Sequence, residues 1–424
     1  MKSGDLRRQL QQTENPDPRK INLALQGGGA HGAFTWGVLD RLLEEVEAGR
    51  LEIDGISGTS AGALNGAVLK YGLATGGPKE ARRLLNKLWT GVSQKNLLTP
   101  LQDIATTMTG SHNLDSSPTF AWLEVWKHYM SPQQFNPLNQ NPLRALLQDV
   151  VDFDKLREKL AEEGGGNLFI GATNVTRGDL KIFCGDEISV DSVLASATLP
   201  DLFHPMEIDG EIYWDGGYMG NPPLEPLRFD SESDDTILVQ INSFKRNDAP
   251  RSRSDIADAA NKLMFNSALV TELRDLERMN DLFATGKLKP SNSIRPQRMH
   301  RIKDSGAMDD LNLSSKGNTT GRFLRSLREL GRKAADEWIA ENAAKLGKES
   351  TWQFDWSNPI GLLGKSEPKK PEDRRGRLQR LAGDVLNKGE GDDPGPIMPR
   401  LVKPESAPVP ETPAQPLRRT IGSP

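Results

Sequence analysis

Apolar positions run in short blocks and helical stripes from about residue 20 to about residue 346, and thin out towards both ends of the chain. Residues 1–19 are charged and glutamine-rich, carry two prolines, and read as a disordered N-terminal arm. The texture then changes. Ile21, Leu23, Ala24 and Leu25 make a short strand candidate that Gly27, Gly28 and Gly29 interrupt. Behind the glycines, Phe34, Val38, Leu42, Leu43 and Val46 recur at helical spacing and predict a helix over 33–47. A strand over 53–57, a turn over 58–62 and a small-residue helix over 63–71 repeat the unit. Strand, glycine turn and helix in succession open an α/β fold.

Residues 74–166 read as a mainly helical insertion. Its middle is rich in large side chains, among them Trp89, Met108, Phe120, Trp122, Trp126, Tyr129, Met130 and Phe135. These suit either a lid or acyl-chain pocket, or ordinary core between helices. Strands resume over 168–173 and 180–184, a short helix follows over 190–197, and 206–213 alternates as a hairpin around Asp209 and Gly210. A buried strand is expected over 237–241. Two long helices, about 254–284 and 322–346, flank a polar link and form an expected helical extension, 251–350, packed on a core domain of 20–250. Alternating charges such as Glu272, Arg274, Asp275, Glu277 and Arg278 fit an exposed helical face. Residues 365–424 are proline-rich and read as a disordered tail; its basic cluster over 365–380 reads as a solvated linker.

Composition sharpens this division. Eleven of the 28 prolines fall in the last 60 of the 424 residues, so the region before this tail is closer to an average composition than the overall apolar fraction of 36%. The region before it can fold without a disulfide or a metal. The single cysteine, Cys184, excludes a disulfide framework and a cysteine-based zinc site. A net charge of −4 argues against a fold built to grip nucleic acid. With no leader-type run at the start and no window near 18 apolar residues, a cytoplasmic protein is expected.

Three motifs carry chemistry. Gly27, Gly29 and Gly32 satisfy GxGxxG between a strand and a helix, and Asp54 follows 22 residues after Gly32, where a dinucleotide site wants a ribose-binding acid. Three consecutive glycines at a helix start serve equally as an oxyanion loop or a plain turn. The second motif, Gly58-Thr59-Ser60-Ala61-Gly62, is a GxSxG elbow in the strand–turn–helix context it needs. Small neighbours let Ser60 project as a nucleophile. The third, Asp215-Gly216-Gly217, ends the hairpin, and its carboxylate is a candidate general base for Ser60. Of five histidines only His300 follows Asp215, in a polar stretch, so a Ser-Asp dyad is simpler than a triad.

In this order and spacing the motifs resemble the patatin-like phospholipases, a family of acyl hydrolases, over about residues 21–241. The stretch Ala195-Ser196-Ala197-Thr198-Leu199-Pro200 is similar to the family's segment ahead of its aspartate. The resemblance implies a three-layer α/β/α sandwich around a mainly parallel sheet. It implies Ser60 as nucleophile, Asp215 as general base, and Gly27, Gly28 and Gly29 as the oxyanion hole. It further implies phospholipase A-type cleavage of a lipid or other acyl ester, no cofactor, and peripheral contact with a lipid surface. The family's loop commonly carries Arg or Lys where this chain has His31, so no fixed positive charge is expected there, and an imidazole neutral near pH 7 would either weaken anion binding or act as a switch that makes it pH-dependent. Two other readings stand beside this one: a nucleotide-dependent oxidoreductase using GxGxxG with Asp54, and a non-catalytic lipid-binding scaffold.

Overall fold

The computed structural model describes residues 17–354, apart from 96–111, 115–130, 138, 140, 163, 165–166, 245–248, 292–293 and 310. The expected tail and most of the expected arm lie outside these residues, as do Met108, Phe120, Trp122, Trp126, Tyr129, Met130 and the Phe135 side chain. Strand β1 (Arg19–Leu25), helix α1 (Gly32–Glu47), strand β2 (Leu51–Thr59) and helix α2 (Ala61–Lys95) make the two expected strand–turn–helix units. Within α2 the helix breaks at Gly77, whose φ is 74°, just before Pro78. After a single turn, Pro132–Phe135, helices α3 (Pro142–Val150) and α4 (Phe153–Glu162) lead back to the sheet. There follow β3 (Leu168–Asn174), β4 (Asp179–Phe183), α5 (Val190–Ser196), β5 (Met206–Ile208) and β6 (Glu211–Asp215). Then come α6 (Glu225–Phe229), β7 (Asp235–Gln240), α7 (Arg253–Ala284), β8 (Arg298–Lys303) and α8 (Gly321–Asn342).

The eight strands form one sheet in the order β5-β6-β3-β2-β1-β7-β8, with β4 also paired to β3. The pairs β1–β2, β2–β3, β1–β7 and β7–β8 are parallel. The pairs β3–β4, β3–β6 and β5–β6 are antiparallel. The central strands are buried on both faces, as parallel strands between helices must be. Leu23, Leu25, Ile237 and Val239 point into a core shared with α1, α2 and α8. Their alternate neighbours Ala24 and Leu238 point the other way, against Leu269, Leu273 and Leu276 of α7. The period of two along each strand therefore makes the three layers of an α/β fold.

Helices α1 and α8 touch backbone to backbone. A Cβ on Gly37 would stand 1.9 Å from the Arg328 carbonyl oxygen, and one on Gly331 would stand 2.0 Å from that of Phe34. Beside this crossing, the buried carboxylate of Asp40 is met by Arg82 from α2 and by Arg328 and Arg332 from α8. These guanidinium groups hold Asp40 below the usual carboxylate range against the desolvation that opposes its charge. Part of the charge on α8 thus serves an internal ion cluster.

The polar link after α7 contains a strand that its sequence did not announce. Strand β8 is rich in basic residues, and its alternation is weak. It pairs with β7 because Arg298 and His300 both reach the buried Asp235, at 2.7 and 2.9 Å. The region after residue 250 therefore contributes to the sheet as well as supplying helices.

Replacing Gly37 with Val will force α1 off α8, because the nearest atoms are backbone and cannot rotate away. We expect a loss of at least about 3 kcal/mol, read as a lowered melting temperature.

Candidate active site

Two strands arrive tip to tip on one edge of β3. Strand β2 pairs with its first half, ending at Thr59 opposite Gly171. Strand β6 pairs with its second half, with Asp215 opposite Ala172. Strand β4 overlaps both partners along β3, so it takes the opposite edge. The residue after Thr59 is Ser60, and sheet register alone therefore brings Ser60 and Asp215 together from 155 residues apart in sequence.

Ser60 sits in a strained turn with φ of 55°, which costs about 1–2 kcal/mol for a non-glycine residue. Three features hold it there. Its N–H donates to Ser196 Oγ at 2.9 Å, and that hydroxyl donates to the Gly171 carbonyl at 2.6 Å. The turn also lies against neighbouring backbone: a Cβ on Gly62 would stand 2.0 Å from the Leu25 carbonyl oxygen. On the other side, Gly27 packs against the Ser60 Cβ so closely that any side chain would collide with it. Helix α2 begins immediately after Ser60, so the positive end of its dipole is directed at the hydroxyl.

The glycine loop is held by amides. The Gly27 N–H donates to Asn221 Oδ1 at 2.6 Å, and the Gly27 carbonyl accepts from Asn242 Nδ2 at 2.7 Å. Gln26 Oε1 in turn accepts the N–H groups of Ile241 and Asn242. Gly27 is therefore fully engaged. The N–H groups of Gly28 and Gly29 have no acceptor among the described residues.

Asp215 is fully buried. Its Oδ1 accepts the Gly217 N–H at 2.7 Å, while Oδ2 has no partner at hydrogen-bond distance. Burial pushes its pKa up to about 6, and the nearby Ser60 hydroxyl, the Gly217 N–H and the charge of Lys316 moderate the rise. Ser60 approaches the carboxylate closely enough to stabilise its ionised form without closing a short hydrogen bond in this state.

Other candidates go elsewhere. Asp54 accepts the N–H groups of Glu232 and Ser233 at 2.6 and 2.8 Å. It lies five strand residues, about 16 Å, from the end of β2, so it cannot serve a ligand on the glycine loop. His300 is bound to Asp235 in β8, and His204 bonds the Asn136 carbonyl. His31 is a correction. It is buried, its Nε2 bonds Ser315 Oγ at 2.8 Å, and burial followed by the charges of Lys316 and Lys262 pushes it down to about 3. It stays neutral at ordinary pH and cannot act as the expected switch. The cation near the site is Lys316, which sequence reasoning missed, together with the holding roles of Ser196, Asn221 and Asn242. Only Ser196 lay in a stretch marked by sequence. Among the described residues, no group of three or more His, Cys, Asp and Glu side chains gathers to hold a metal ion.

Comparison with known proteins bears on this segment of the chain. A family model described as patatin-like phospholipase matches residues 23–228. A lysophospholipase, NTE1, of Cryptococcus neoformans var. neoformans serotype D (strain JEC21 / ATCC MYA-565) is 25% identical over 217 residues, which is 50% of this chain and 12% of that protein's length. An uncharacterized protein of Acanthamoeba polyphaga mimivirus is 24% identical over 247 residues, 55% of this chain and 72% of that one. The crystal structure of VipD from Legionella pneumophila matches with a TM-score of 0.31 and 14% identity, covering 76% of this chain and 67% of that one.

The raised pKa of Asp215 has a stability consequence. Below the unfolded value near 4 the carboxyl is neutral in both states, and folding bears no charge penalty. As pH rises through about 6 the penalty develops fully, so this group destabilises the fold at neutral pH by up to about 3 kcal/mol. Asp215→Asn should therefore melt above the wild type at pH 7.5, with the difference disappearing below about pH 4, as read by thermal unfolding across pH.

Proposed function

The chain belongs to the patatin-like phospholipase family, and we propose that it is a serine acyl hydrolase that cleaves carboxylic esters of lipids with phospholipase A-type chemistry. The observation that carries this reading is the buried Asp215 carboxylate, with an unpartnered Oδ2, beside a serine held in a strained elbow. Ser60 Oγ attacks the acyl carbon as its proton passes to Asp215. The carbonyl oxygen becomes an oxyanion and is received by the free N–H groups of Gly28 and Gly29, with Gly27 serving to hold the loop. Collapse of the tetrahedral adduct expels the alcohol, which takes the proton from Asp215, and leaves an acyl-Ser60 ester. Asp215 then takes a proton from water, whose hydroxyl oxygen attacks the ester and releases the fatty acid. A carboxylate with a pKa of about 6 is a far better base than an exposed aspartate and is still ionised at pH 7.

The surface beside the site supports a lipid substrate. Five of the eight exposed large hydrophobic side chains among the described residues are Met219, Ile256, Leu263, Met264 and Leu313. Ile256, Leu263 and Met264 lie on α7. Leu313 opens the 3-10 segment Leu313–Gly317, and Met219 follows the 3-10 turn Gly216–Tyr218; both segments pack on α7. Between Ile256 and Thr271 the only charges on α7 are Asp258 and Lys262, which pair with each other at 3.0 Å. An uncharged, exposed helical face next to an esterase-type site fits contact with a lipid surface. Among the described residues no helix is long and apolar enough to cross a membrane.

The direct test is labelling by a fluorophosphonate, read by intact mass. One adduct is expected on the wild type and none on Ser60→Ala, while Asp215→Asn should lose about a thousandfold in kcat/KM. Labelling that persists in Ser60→Ala would refute the assignment. For the lipid surface, Leu263→Glu is the sharper probe, since the side chain is 73% exposed and the fold should tolerate the change. Vesicle hydrolysis should fall roughly tenfold while a soluble short-chain ester is cleaved as before.

A further inference from the structure

Lys316 lies outside the 23–228 segment, in the 3-10 segment Leu313–Gly317, yet it packs on the active-site loops. Its carbonyl oxygen stands 2.6 Å from where a Cβ on Gly29 would be, so its backbone closes directly on the glycine loop. Its ammonium donates to Asn261 Oδ1 at 2.8 Å and lies 5.3 Å from the centre of the Phe265 ring. The edge of that ring occupies the space beside Gly217, where a Cβ would meet Phe265 Cε1 at 2.2 Å. The Gly217 N–H holds Asp215 Oδ1. One aromatic ring thus links the cation to the buried carboxylate's loop.

The charged groups facing Lys316 are Asp258 and Lys262 from α7 and Asp215 at the end of β6; His31, on the glycine loop, is neutral. Asp258 is taken by Lys262, and among the described residues no carboxylate stands within ion-pair distance of Lys316. Burial, which leads, and Lys262 lower its pKa to about 8, while Asp258 and Asp215 oppose the fall. A cation kept where desolvation opposes its charge, with no counter-ion in contact, calls for a function.

We infer that Lys316 is an electrostatic positioning residue for the Ser60–Asp215 pair: its charge favours the ionised Asp215 in the resting site and the oxyanion that forms beside Gly28 and Gly29. The oxyanion half rests on the acyl-hydrolase reading above, whereas the coupling to Asp215 stands without it.

The test is kcat/KM of the full chain toward a soluble p-nitrophenyl ester from about pH 5 to 9.5. The wild type should give a bell with limbs near pH 6 and near pH 8. Lys316→Arg should keep the acid limb and lose the alkaline one, because a guanidinium stays charged. Lys316→Met should lower the rate about tenfold at pH 7 and move the acid limb upward. A wild-type profile in Lys316→Met, or an upward-shifted acid limb in Lys316→Arg, would overturn the inference. Lys316→Gln serves the same comparison if the methionine variant does not fold. A second measurement needs no turnover: the gain in melting temperature from Asp215→Asn at pH 7.5 should be larger in the Lys316→Met background. An equal gain in both backgrounds overturns the coupling. An inactive wild type would instead count against the hydrolase reading and leave this second measurement decisive.

Discussion

The site depends on how one strand is shared. Strand β3 gives half of one edge to the end of β2 and the other half to the end of β6, at the adjacent residues Gly171 and Ala172. Adjacent strand residues are about 3.3 Å apart, so the distance between Ser60 and Asp215 is set by hydrogen-bond register and not by a loop. A slip of one residue along β3 would turn Asp215 to the other face of the sheet. The junction has no spare room. A Cβ on Gly216 would stand 2.1 Å from the Gly171 carbonyl oxygen, which explains why a glycine must follow the aspartate.

Among the described residues around this junction, most buried polar side chains are hydrogen-bonded, and two atoms are not. Gln26, Asn221 and Asn242 use their amides to fix the glycine loop. Ser196 does the same for the elbow. Buried hydrogen-bonded networks of this kind hold a loop rigid. The exceptions are Asn221 Nδ2 and Asp215 Oδ2, both buried and without a hydrogen-bond partner. The desolvation that raises the pKa of Asp215 also destabilises the fold at neutral pH, so this side chain is held at a cost to stability.

The region beyond the family segment completes the core and approaches the site. Helices α7 and α8 cover opposite faces of the sheet, and β8 forms its edge. The same region delivers Ser315 to His31 and Lys316 to Gly29. The expected titrating group in the glycine loop is therefore a neutral, hydrogen-bonded histidine. The nearby charge comes from a lysine 285 residues further along the chain.

The sequence by itself determined what contiguous residues can state. The strand–glycine–helix units, the elbow around Ser60 and the hairpin ending at Asp215 each lie within a few tens of residues. Turn sterics and the periods of helix and strand act over that range. The motif order also made the family legible. Tertiary structure alone decided which amides hold the glycine loop, that Gly27 has no N–H to spare, that Asp54 receives the N–H groups of Glu232 and Ser233 and that Lys316 closes on the glycine loop. Those outcomes depend on pairings between distant segments, whose register no local pattern encodes. The strand β8 was hidden for a related reason. Its Arg298 and His300 read as solvent-facing residues until the partner they share, Asp235 on β7, is brought alongside.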